Sequence, residues 1–330
     1  MTDLSWDPPT YRVDADGRVI GAECESTPNN WGRWGDLDER GTVNFITPAH
    51  VARAATLIKD GSVHSLAIPL DRGGPFHPLR TPPVHHYAYT GADFVVNGPL
   101  ARRYPGHQGS DDYIYMPLQG STQWDALAHA AFDATFYNGF WIGTADASGG
   151  AQRCSIQRMN QTLVGRGVLL DMPRLHGVQR LQPGHAIGPD ELDACAAAQG
   201  VEIGSGDLLL VRTGHLPWFY ELEHKAEFWS VGAPGIGSAA VEWIHEREIA
   251  ALAVDNVAVE VEPFEEPNRT IYPLHVRLIR DLGLSLGELW WLDGIADACA
   301  ASGRYDFFLS APPLNLTNAS GSPLNPIAIT

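Results

Sequence analysis

Three features of the sequence predict a mixed α/β fold. After about residue 160, strand-type and helix-type segments alternate, the pattern of an α/β layer architecture. Before that point strand and loop dominate. A hydrophobic content of 44%, with 10 Trp, 10 Tyr and 11 Phe, supplies a sizeable core and excludes intrinsic disorder. A length of 330 residues leaves one elaborated domain or two open; with no internal repeat and no linker that forces a boundary, a single domain over 1–330 with an N-terminal arm over about residues 1–30 is expected.

The elements follow in chain order. Residues 1–30 are polar and carry Pro8, Pro9 and Pro28, which reads as an extended arm. Residues 30–46 hold Trp31 and Trp34 among glycines and charges without periodicity, so an ordered loop is expected. Thr47 and Pro48 form an N-cap and first-turn pair for a helix with Val51, Ala55 and Ile58 on one face and Gly61 as its stop. Residues 63–70 read as a strand. Residues 71–83, rich in Gly, Pro and Arg, read as a long loop that carries His77 and Arg80 and leads to His85 and His86. Residues 113–118 have the aromatic and aliphatic content of a strand.

In the second half, residues 164–171 form a buried-type strand, and residues 189–200 start on Pro and end on Gly, as a helix does. Residues 207–213 are a strand; Ser238 caps a helix with Val241, Ile244 and Ile249 inward, and an apolar strand over 249–254 ends at Asp255. From Leu274 a helix aligns His275, Leu278, Ile279 and Leu282 and stops at Gly283. Glu288 then opens an element whose Trp290 and Trp291 are suited to the core or to a subunit interface. Residues 305–309 are a final strand.

A formal charge of -17 and a pI near 5.0 exclude a general affinity for nucleic acid or anionic lipid, both of which select clustered Lys and Arg. No run of about 18 apolar residues is present and the first residues lack a basic-then-apolar signal, so no membrane association and a cytoplasmic location are expected. Cys24, Cys154, Cys195 and Cys299 form no CxxC pair and read as reduced, buried small hydrophobes. Residues 235–240 fit a relaxed GxGxxA pattern, but they follow a turn rather than a strand, so helix capping is the expected role. Neither a GxSxG elbow nor a Walker A loop occurs.

Chemistry concentrates between Gln119 and His129. If the 113–118 strand runs on, Gln119, Ser121, Gln123 and Asp125 alternate onto one face, and a helical turn brings His129 onto Asp125. So many polar groups in a half-buried strand need partners, since each unpaired group costs roughly 1–3 kcal/mol. An ion or ordered water would satisfy them together.

The stretch resembles the signature H-x-G-T-H-x-D-x-P-x-H of the cyclase family of metal-dependent hydrolases, which includes kynurenine formamidase and isatin hydrolase. Thr122, Asp125 and His129 match; Gln119 and Gln123 stand at the two histidines, Ser121 at the Gly and Leu127 at the Pro. His275 and Glu288 resemble the family's downstream His and Glu, and the match extends from Trp31 to residues 321–326. The resemblance implies a swivelling β/β/α fold, assembly as a homodimer or homotetramer, Asp125 as a shared metal carboxylate, His275 and Glu288 as further ligands, and His129 as the proton-transfer residue. An amide oxygen is a poorer zinc ligand than imidazole and suits harder ions. One divalent ion is therefore expected, Mn or Zn with Mg as a third option, held by Asp125, His275 and Glu288 with help from Gln123 and Gln119.

Trp34, Phe76, His77, Arg80, His86 and Trp124 are the expected substrate-binding residues, their aromatic and Arg content suiting a flat, small ring bearing a carbonyl or carboxylate. The expected reaction is hydrolysis of an amide, formamide, lactam or lactone, with an ion-activated water and His129 as base and then acid. A dehydration, isomerisation or cyclisation on the same site is the first alternative. A metal-free binding or scaffold protein is the second.

Overall fold

The computed structural model describes residues 11–95, 98–265 and 272–330. Its centre is a nine-stranded mixed sheet. In spatial order the strands are Val63–Ser65, Ile327–Ile329, Asp306–Ser310, Val164–Asp171, Leu208–Arg212, Ala251–Val254, Ser285–Glu288, Gln123–Asp125 and Gly321–Pro323. The four from Val164 to Glu288 pair in parallel, and the flanking pairs are antiparallel.

Sequence explains this arrangement. Leu208–Val211 and Ala251–Val254 are buried on both faces, as expected of uninterrupted apolar runs in the middle of a parallel sheet. The helices Pro48–Ala55 and Pro189–Gln199 cover the strand Val164–Asp171. Thr47 Oγ1 accepts from the His50 N–H at the start of the first of these helices, and Gly200 ends the second in the left-handed conformation. The helix after Gly237 begins at Ala240, and Gly235–Ile236 is a two-residue strand beside Ala186–Ile187.

Three expectations need correction. The 113–118 strand does not run on: Asp111–Tyr115 pairs with Val84–Tyr89 in a separate, exposed ribbon, and the chain turns before starting the strand Gln123–Asp125. Pro117 lacks a ladder donor, and a Cβ on Gly120 would lie 3.1 Å from the Pro117 oxygen, so this segment turns. Residues 126–129 form a turn closed by the His129 N–H to the Ala126 oxygen, not a helix. Glu288 ends the strand Ser285–Glu288 rather than opening the next element.

The helix at Leu274 is confirmed with one difference. Pro273–His275 is α-helical, and Val276–Asp281 continues with π geometry, the Leu282 N–H reaching back to the Arg277 oxygen. Such π segments are frequent at functional sites. His275, Leu278, Ile279 and Leu282 all face inward. Residues 11–30 lie against the body: Arg18 bridges to Phe140, and the Asn30 side chain donates to the Leu282 oxygen. Residues 1–10 lie outside the described residues. Trp290 is fully buried and donates to the Gln123 oxygen, while Trp291 is half-buried. No helix among the described residues is long and apolar enough to cross a membrane.

Candidate active site

Two neighbouring strands and one helix start build the site. Gln123 and Asp125 share one face of their strand, which pairs Gln123 with Glu288. Trp124 points to the other face, where its ring lies 4.8 Å from that of Trp290 and its Nε1 donates to the Ala311 oxygen. Thr122 locks the strand entrance: Oγ1 donates to the Leu289 oxygen at 2.6 Å and accepts from the Ile68 N–H at 3.0 Å.

Asp125, His129 and His275 converge, with one ligand-type atom of each within 4.8 Å of the others. His129 Nε2 is 3.8 Å from Asp125 Oδ1, too far for a hydrogen bond. Gln123 Nε2 donates to Glu288 Oε2 at 2.7 Å, and His275 Nε2 lies 3.4 Å from Glu288 Oε1. Both Asp125 oxygens, Gln123 Oε1 and Ser121 Oγ are buried without a hydrogen-bond partner among the described residues. Buried oxygens left unpaired beside imidazole are the donor set that a divalent cation requires, so the residues fit a metal.

Behind His275 stands Glu260, which sequence reasoning missed. It is 2% exposed, and its Oε1 accepts from His275 Nδ1 at 2.7 Å. The backbone N–H groups of Leu274 and His275 also donate to it, at 3.1 and 3.2 Å. A carboxylate on Nδ1 fixes the ring and leaves Nε2 on the side of Glu288 Oε1, the arrangement that commonly orients metal-ligating histidines. The adjacent Val259 has a φ of 59°, which a β-branched residue rarely adopts, and Asn256 holds it there through the Val259 N–H.

The charges reinforce one another. Burial and the nearby Glu288 raise the Asp125 carboxyl well above the usual carboxylate range. Burial lowers His129 to about 3, with His275 and Arg80 adding to the effect, so its imidazole is neutral at neutral pH. Burial opposes charge on His275 as well, but hydrogen bonds to Glu260 and Glu288 prevail and raise it to about 10, so an ion at Nε2 would have to displace a proton.

A cavity of about 170 Å³ opens above these groups, lined by His77, Pro78, Arg80, His129, Trp229, Val257, Ala258, Glu262, Tyr272, His275 and Glu288. His77 packs edge-on against Trp229, and Tyr272 lies 5.3 Å from the His275 ring. The structure thus gathers Gln123, Asp125, His129, His275 and Glu288, with His77 and Arg80 in the cavity wall. Other predicted residues fall elsewhere. Gln119 turns its amide to Ser320 Oγ at 3.2 Å, while its backbone oxygen accepts from Arg80. Trp34 packs against Phe45, Phe76 is buried outside the cavity lining, and His86 sits on the exposed ribbon beside Tyr113. Trp229, Glu262 and Tyr272 had no motif to single them out.

Comparison with known proteins bears on the family and the fold. Residues 64–261 match the family model described as putative cyclase. A solved structure described as a novel cyclase is 44% identical, with a TM-score of 0.85, over 92% of this chain and 97% of that one. The chain belongs to the cyclase family. Isatin hydrolase A from Labrenzia aggregata, bound to benzyl benzoate, is 20% identical with a TM-score of 0.55, over 83% of this chain and 94% of that one. A predicted metal-dependent hydrolase from Bacillus stearothermophilus is 16% identical with a TM-score of 0.50, over 82% of this chain and 98% of that one. At those identities the likeness concerns the fold, which this cyclase-family chain shares with the isatin hydrolases. No curated protein matches the chain.

Proposed function

We propose that this chain is a metal-dependent hydrolase that cleaves an amide, formamide, lactam or lactone bond in a small cyclic or aromatic molecule. The observation that carries the reading is that Gln123 and Asp125 keep buried oxygens without a hydrogen-bond partner among the described residues, while Asp125, His129 and His275 bring ligand-type atoms within 4.8 Å of one another beside a cavity lined by His129 and His275. Asp125, His275 and Gln123 Oε1 would hold one divalent ion, with Glu288 beside them. When bound, such an ion lowers the pKa of a water and polarises a carbonyl.

The remaining work falls to side chains. His129 makes no hydrogen bond to Asp125 and keeps 26% of its side-chain surface exposed, so Nε2 is free to take a proton from an ion-activated water and return it to the leaving group. Arg80 sets a positive charge in the wall, suited to a carbonyl or carboxylate oxygen. Trp229 and Tyr272 supply flat surface. The volume of about 170 Å³ lies below the roughly 300–1,000 Å³ of sites for drug-sized ligands, which favours a small substrate.

Turnover in ¹⁸O-water of a panel of formamides, lactams and lactones, with mass analysis of the products, tests this. One solvent oxygen per turnover, carried in the carboxylate product, supports hydrolysis. Turnover without label refutes it in favour of dehydration or cyclisation. His129→Gln should lower kcat by about 10²–10⁴ with unchanged thermal stability.

A further inference from the structure

Among the described residues a second convergence of metal-ligating groups lies apart from the cavity. His176 ends the short helix Met172–His176, His185 precedes the strand Ala186–Ile187, and Glu191 lies in the first turn of the helix Pro189–Gln199. Both imidazoles aim at one carboxylate. His176 Nε2 is 2.5 Å from Glu191 Oε1, and His185 Nε2 is 2.9 and 3.0 Å from the two Glu191 oxygens. The rings meet edge to face, 5.5 Å apart. One ligand atom of each residue lies within 4.8 Å of the others.

The scaffold holds these groups in place from three sides. Glu191 belongs to a helix that starts on Pro189 and is closed at its C-terminus by Gly200, and that helix packs against the one carrying His176. The His185 backbone oxygen accepts from the Gly235 N–H, next to the parallel pairing of Ala186–Ile187 with Gly235–Ile236. Side-chain exposures of 38%, 32% and 18% for His176, His185 and Glu191 leave an open side for entry and for a water.

We propose that His176, His185 and Glu191 form a surface site for a divalent metal of the zinc type, which staples the 177–185 segment to the two helices. Two imidazole nitrogens and one carboxylate oxygen select Zn²⁺ or a neighbouring late transition metal over Mg²⁺ and Ca²⁺, which prefer all-oxygen shells. Bond lengths of about 2.0–2.2 Å to zinc place tetrahedral ligands roughly 3.4 Å apart. Small rotations about the side-chain torsions reach that spacing from the observed one. Binding replaces the hydrogen bonds to Glu191 and needs both Nε2 atoms unprotonated.

The test is calorimetric titration of Zn²⁺ into the full chain and into His176→Gln/His185→Gln, with zinc-edge anomalous diffraction from wild-type crystals soaked in zinc chloride. The wild type should bind one more equivalent than the double variant, a peak should lie between the three side chains, and zinc should raise the wild-type Tm more than the variant's. Glu191→Gln should weaken that equivalent at least tenfold. Equal stoichiometry in wild type and double variant, or no peak at this position, overturns the proposal. The diffraction arm uses unaltered protein, so a variant that folds poorly leaves the test intact.

Discussion

Replacing Glu260 by Gln probes how the site is built, because the substitution keeps shape and removes charge. Glu260 Oε2 accepts from the Leu274 N–H, while Oε1 accepts from both the backbone and Nδ1 of His275. A glutamine offers one oxygen. If that oxygen stays on His275, the amide NH₂ faces the Leu274 N–H, and one buried donor loses its acceptor, at a cost of about 1–3 kcal/mol. The contacts on His275 also lose their charge-assisted part, about 1 kcal/mol each. Summed, Glu260→Gln should destabilise the fold by roughly 3–5 kcal/mol in urea denaturation. Its larger consequence is at His275, whose ring is no longer held. Affinity for Mn²⁺ or Zn²⁺ at the site should fall by about 10–100-fold in titration calorimetry. Wild-type stability together with affinity within twofold of wild type would refute the view that Glu260 positions His275.

Two further predictions concern the scaffold. His215 is fully buried against Phe228, its ring nitrogens have no partner among the described residues, and burial together with Arg180 lowers it to about 3. Its folded pKa lies below the unfolded value, so the stability it contributes is complete above about pH 6.5 and declines as pH falls towards 3. Between pH 6.5 and 5 that loss is about 2 kcal/mol, so His215→Phe should be at least as stable at pH 7 and flatter by that amount in denaturation series; an unchanged slope contradicts the burial argument. At Gly287 a Cβ would lie 2.7 Å from Trp290 Nε1 and 2.8 Å from both Ala253 Cβ and Trp124 Cζ3, all in the core. Gly287→Ala should therefore cost about 1–3 kcal/mol of overpacking, and a neutral result by chemical denaturation would show that the strands separate more easily than this packing implies.

Legibility in the sequence tracked how local each cause was. The buried strands Leu208–Arg212 and Ala251–Val254 announced themselves as apolar runs, and the helix Pro189–Gln199 by its Pro and Gly ends. The continuation from 118 to 125 failed because Pro117 and Gly120 carried more weight than the alternation of polar residues across them. Asp125, His129, His275 and Glu288 were singled out through spacing and resemblance, and the fold brings them close together. Glu260 was not, since a glutamate 15 residues before His275, between Val259 and Val261, has no spacing that marks it. Its one signal is a charge inside an apolar stretch, which implies a buried partner. Trp229, at the end of the 3-10 helix Lys225–Trp229, and Tyr272, at the N-cap of the helix Pro273–His275, reach the cavity from distant parts of the sequence, a meeting that only the folded chain reveals.

The central claim is that Gln123 and Asp125, with His275, hold a divalent ion despite the glutamines in the motif. Anomalous diffraction from crystals grown with Mn²⁺ tests it most directly. The account predicts a peak bounded by Asp125, Gln123 Oε1 and His275 Nε2, lost in Asp125→Asn. No peak in wild-type crystals that retain the side-chain geometry would contradict it and favour a metal-free site.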